Sequence, residues 1–103
     1  MHKVQPNIKP INDKTIEPLG SITVVTLWNQ GTTNVNYGFG DVSIKLKPGQ
    51  TVTFDAGANT VFASDSKLYV DFESVGANDV NMCLLQFNKL TQASQGWANI
   101  KEK

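Results

Sequence analysis

The chain of 103 residues has no arginine, one cysteine and one histidine, and each scarcity excludes a class of chemistry. A single cysteine, Cys83, forbids an intramolecular disulfide. The single histidine is His2, so neither a zinc site of Cys/His type nor a histidine-centred triad away from the N-terminus can be assembled. Nine lysines balance nine acidic residues, leaving zero net charge and none of the Lys/Arg clusters that neutralise phosphates. No nucleic-acid partner is expected. The longest apolar run, Met82 to Leu85, falls far short of the roughly 20 residues of a membrane span, so no membrane partner is expected either. The first twenty residues lack the apolar stretch of a signal peptide, and there is no Asn-x-Ser/Thr sequon. These features fit synthesis in a cytoplasm and a reduced, buried Cys83.

What is present is enough apolar residue for one core: 40% hydrophobic against 17% charged. Three of the four prolines, Pro6, Pro10 and Pro18, fall among Val4, Ile8, Ile11 and Ile16 without helical or two-residue period. Proline holds φ near −65° and extends the residue before it, so residues 1–19 read as an extended arm outside the core. Deleting that arm is expected to leave a folded domain.

From Ser21 the pattern turns to strands. Ile22, Val24, Thr26 and Trp28 share one face, and Thr23, Val25 and Leu27 the other, as in a strand covered on both sides. Val35, Tyr37 and Phe39 alternate with polar or glycine positions, as do Val42, Ile44 and Leu46, then Val52 and Phe54. Pro48-Gly49 between Lys47 and Gln50 is the pattern of a type II turn, which predicts a hairpin joining Val42–Leu46 to Thr51–Phe54. A weak strand or bulge is expected at Thr60–Ala63. Leu68, Val70 and Phe72 alternate with Lys67, Tyr69 and Asp71, and Val80 to Phe87 reads as the last core strand. The expected fold is all-β: an antiparallel sandwich of six to seven strands, Ig-like or jelly-roll-like, with an extended N-terminal arm and a C-terminal tail. Its segments are the arm (1–19), the sandwich (20–87) and the tail (88–103).

No catalytic, cofactor-binding or metal-binding residues are expected, and the chain reads as non-enzymatic. Asp71 and Glu73 fit a solvated strand face better than an acid–base pair. Asp41, Asp55, Asp65 and Asp79 are scattered turn formers and lack the spacing of a calcium loop. Two sets of side chains point to binding. Ile8, Ile11 and Ile16 in the arm, with Trp97 and Ile100 in the tail, are apolar anchors placed to engage a protein partner. Trp28 and Tyr69 are the alternative: aromatic platforms for a glycan, with Asn34, Asn36 and Asn81 as hydrogen-bonding groups.

Trp28-Asn-Gln-Gly-Thr-Thr-Asn-Val-Asn-Tyr37, followed by Ile44-Lys-Leu-Lys-Pro-Gly-Gln-Thr-Val-Thr-Phe54, resembles the small β-sandwich proteins of tailed-phage virions. These include capsid decoration proteins and baseplate or tail adaptors. The resemblance implies a non-enzymatic structural protein, made in the host cytoplasm and located in the virion. It further implies a homo-oligomer or multi-copy assembly held through its termini to other virion proteins, such as the major capsid protein. The alternative expectation is a carbohydrate-binding or receptor-binding module of a fibre or baseplate.

Overall fold

The computed structural model describes residues 3–58, 60–74 and 76–90. Eight strands follow one another: β1 (Val4–Ile11), β2 (Thr15–Pro18), β3 (Ile22–Asn29), β4 (Val35–Gly38), β5 (Ile44–Leu46), β6 (Thr51–Asp55), β7 (Lys67–Phe72) and β8 (Cys83–Leu90). They form two four-stranded sheets, ordered β1-β8-β3-β6 and β2-β7-β4-β5, with every pairing antiparallel. Consecutive strands alternate between the sheets except β4 and β5, which pair within the second, and the two orders together are those of an eight-stranded jelly roll.

Two-residue periodicity explains the core. Val25, Leu27, Cys83 and Leu85 point inward from the first sheet; Val35, Tyr37, Leu46, Leu68 and Val70 meet them from the second. Val25, Leu27, Val35 and Leu68 are fully buried, each leucine contributing about 2 kcal/mol by leaving water. The opposite set on β3, including Trp28, faces out, and Trp28 is 39% exposed.

Three sequence expectations change. There are eight strands because the segment read as an arm supplies two of them. β1 lies along β8 from Val4↔Leu90 to Ile11↔Cys83, and β2 lies along β7. Proline is compatible with both because each is an edge strand, where one side of the backbone needs no partner. The last strand extends to Leu90 instead of stopping at Phe87, and Thr60–Ala63 is not a strand, although Phe62 N–H donates to Ile22 O at 2.9 Å. The rest of the expected tail, residues 91–103, lies outside the described residues.

The hairpin expected at 42–54 is also absent. The turn itself forms: Gly49 has φ +85° and Gln50 N–H donates to Lys47 O at 3.0 Å. Yet β5 pairs with β4 and β6 pairs with β3, so the turn is a corner between sheets. Splitting the two strands gives β3 and β4 each a second hydrogen-bonded neighbour, beside β8 and β7, which a private hairpin would have denied them. Asn29 holds the corner. Its N–H donates to Gln50 O (3.0 Å) and its carbonyl accepts from Gly49 N–H (2.7 Å). Its buried side chain donates to Thr33 O (2.8 Å) and Leu46 O (2.9 Å) and accepts from Gly31 N–H (3.1 Å). Val42 and Ile44, which share the period of Leu46, lie before and at the start of the edge strand β5 and are exposed.

Candidate binding site around Tyr69

Leu68 and Val70 fill the core, so the intervening Tyr69 leaves β7 on the outer side of the second sheet. Its cross-strand neighbours are Ile16 on β2 and Gly38 on β4. Gly38 has a steric reason to lack a side chain: a Cβ there would collide with the Val42 carbonyl, which the 39–43 loop folds over it. With no side chain on that flank, the Tyr69 ring stands 40% exposed.

Two clefts share Tyr69. The larger, about 670 Å³, is lined by Phe39, Phe54 and Phe62 together with Asp55, Asp65 and Lys67. Phe39 meets Phe54 edge-on with centroids 4.7 Å apart, and Tyr37 closes on Phe54 at 5.7 Å. The smaller, about 430 Å³, runs past Ile16, Asn36, Ser43 and Asp71. Apolar walls with a few converging polar groups, at these volumes, are the usual composition of a small-molecule site.

The polar groups are partly held in place. Asp55 accepts from Gly57 N–H at 2.8 Å, and Asp71 accepts from Phe72 N–H at 2.8 Å, each through a single carboxylate oxygen. Beside the smaller cleft, Lys45 lies 3.3 Å from Glu73, and the Asn34 amide reaches the same carboxylate at 3.5 Å. Hydrogen bonding from Asn36, then from Lys45 and Asn34, holds the Glu73 carboxyl below its ordinary pKa. Asn36 therefore connects the cleft to a charged anchor.

The other expected residues are dispersed. Trp28 stands on the outer face of the first sheet, beside Thr51 and Leu84, so it and Tyr69 face opposite sides of the sandwich and cannot form one platform. Asn81 Oδ1 accepts from the Thr33 hydroxyl at 2.9 Å, away from Tyr69 and both of its clefts. Ile8 is exposed on β1 and Ile16 on β2, beside Tyr69, but Ile11 is 4% exposed and belongs to the core. That corrects its reading as a partner anchor: it is the inward residue of β1 opposite Cys83. Trp97 and Ile100 lie outside the described residues. Burial raises the Cys83 thiol to about 11, which suits packing and not nucleophilic chemistry. Among the described residues no group of three or more His, Cys, Asp or Glu side chains could hold a metal ion.

The phenylalanine floor of the larger cleft was not recognised from the sequence. Alternation places Phe39 with Val35 and Tyr37, but Gly38 and Gly40 end β4 around it, so its ring extends past the covered core.

No protein-family model matches the chain, and a search of curated proteins finds no relative. Among solved structures the chain is similar to a de novo designed double-stranded β-helix determined by solution NMR. That likeness has a TM-score of 0.51 and 11% identity, and spans 82% of this chain and 99% of the designed one. At that identity the likeness concerns the fold alone and leaves function to be argued from the site.

Proposed function

We propose that this chain is a non-enzymatic, carbohydrate-binding module whose ligand sits on Tyr69. One observation carries the reading: an exposed tyrosine ring with a cleft on either side, each holding carboxylate, amide, hydroxyl or ammonium groups. A sugar ring has an apolar C–H face suited to an aromatic face and a rim of hydroxyls suited to such groups. Tyr69 supplies the platform, while Asn36 and Asp71 on one side and Asp65 and Lys67 on the other accept or donate to hydroxyls. Glycan-array screening followed by NMR titration tests this. Tyr69→Ala should weaken binding by about tenfold or more, while Trp28→Ala, on the opposite sheet, leaves it unchanged. A wild-type chain that binds no saccharide, or a Tyr69→Ala variant that binds equally well, refutes the reading.

A second reading keeps the structural role in a virion. It rests on Val4 and Ile8, 46% and 67% exposed, two apolar side chains on the same outward face of the β1 edge strand. Co-purification with particles that Ile8→Asp abolishes, without loss of the fold, supports that role; particles lacking the chain oppose it.

A further inference from the structure

Four strands lie at sheet edges, and hydrogen-bond alternation determines which of their main-chain groups face outward. On β8, Leu90 N–H donates to Ser21 O and Met82 O accepts from Gln30 N–H, so even-numbered residues serve β3 and odd-numbered ones serve β1. The register Ile11↔Cys83 then turns the even residues of β1 to its free edge, and two of these are Pro6 and Pro10, which have no N–H. On β2, Leu19 N–H donates to Ser66 O, so Ile16 and Pro18 face outward and again a proline interrupts the donors. β5 has three residues and offers only Lys45, since the next N–H, of Lys47, is taken by Gln50 Oε1 at 2.8 Å. Prolines, lysines and short length are the usual means of blocking strand addition.

β6 has none of them. Asn29 N–H donates to Gln50 O and Ala56 N–H donates to Thr23 O, so the even positions face β3. Thr51, Thr53 and Asp55 therefore turn all their N–H and C=O groups to the free edge, and no hydrogen bond among the described residues reaches those groups. We propose that this edge pairs antiparallel with the same edge of a second copy, about a two-fold axis at Thr53.

The sequence of β6 is complementary to itself in that register. Thr53 faces Thr53 of the copy, extending the Thr26–Thr53 hydroxyl contact of 3.0 Å into a row of four threonines. Val52 faces Phe54, a β-branched residue against an aromatic, twice over. Thr51 faces Asp55, so the only charge on the strand meets a hydroxyl donor and never its own like. A second copy is thus the occupant that this edge fits by charge, shape and main-chain direction. The proposal does not rest on the ligand assigned to Tyr69, although Thr53 and Asp55 also line the larger cleft and pairing there would cover part of its wall.

Sedimentation equilibrium of the full chain, from about 1 µM to about 1 mM, tests it. The wild type should show a reversible monomer–dimer equilibrium. Thr53→Pro removes a donor that β3 does not use, and so two hydrogen bonds across the axis. It should weaken association by about thirtyfold with an unchanged circular dichroism spectrum. Thr53→Lys, which brings two like charges together without a backbone constraint, should act in the same direction even if the proline variant folds poorly. A wild type that remains monomeric throughout, or a folded Thr53→Lys that dimerises as well as the wild type, overturns the proposal.

Discussion

Lys9 on β1 and Glu17 on β2 join the edges of opposite sheets: the ammonium lies 3.0 and 3.1 Å from the two carboxylate oxygens, and the Thr15 hydroxyl adds a bond at 3.0 Å. The Glu17 side chain is 8% exposed and that of Lys9 is 55% exposed, so the carboxylate is sheltered while its partner reaches water. A sheltered carboxylate is tolerated because it is paired, and the pair closes the seam along this side of the sandwich.

Removing the cation leaves Glu17 with the Thr15 hydroxyl alone. Lys9→Ala is expected to lower stability by about 1–2 kcal/mol, moderated by the exposure of the lysine. Deleting residues 1–19 should do far more, since it strips a strand from each sheet and uncovers Leu68 and Leu85. Urea titration followed by tryptophan fluorescence checks both. A cooperative transition in the deleted chain would refute the role given to β1 and β2.

Asn29 is the second test, because its amide faces two carbonyls inside the protein. Asn29→Asp keeps the shape but replaces a donor with an acceptor opposite Thr33 O and Leu46 O. The expected loss is about 3 kcal/mol or more, exceeding that of Asn29→Ala, which removes the amide without adding repulsion. Thermal unfolding of the two variants decides the order.

Cys83 predicts an alkaline limit. Its thiol titrates at about 11 when folded, against an ordinary 9.0, because burial disfavours the thiolate. A raised folded pKa means a contribution that is whole below pH 9 and is lost as the pH rises to about 11, amounting to about 3 kcal/mol. Cys83→Ala should flatten that part of the pH–stability curve. In the folded wild type the thiol should resist a disulfide reagent at pH 8 and react only on unfolding; prompt reaction under native conditions would contradict its burial.

The candidate site was half legible in the sequence. Tyr69 could be placed outward because Leu68, Val70 and Phe72 mark the inner face without ambiguity. Trp28 could not, since both faces of β3 are apolar and alternation alone assigns neither to the core. Asn29 continues the inward period of Val25 and Leu27, which is the available sign of a buried polar hub, but the adjacent Gln30-Gly31 is equally the pattern of a turn. The aromatic floor under Tyr69 depends on Phe39, Phe54 and Phe62, contributed by three separate parts of the chain.

By itself the sequence determined an all-β domain, the inner faces of most strands and the conformation of the 47–50 turn. These follow from local physics: side-chain alternation, β-branched residues, and a glycine where φ must be positive. Only the tertiary structure decided that β5 and β6 part into different sheets, that the proline-spaced segment forms two edge strands, and that Tyr69 and Trp28 face opposite ways. Each of these is a choice of hydrogen-bonding partner between distant segments. The main-chain groups that make the choice are the same in every residue, so no side-chain pattern announces it.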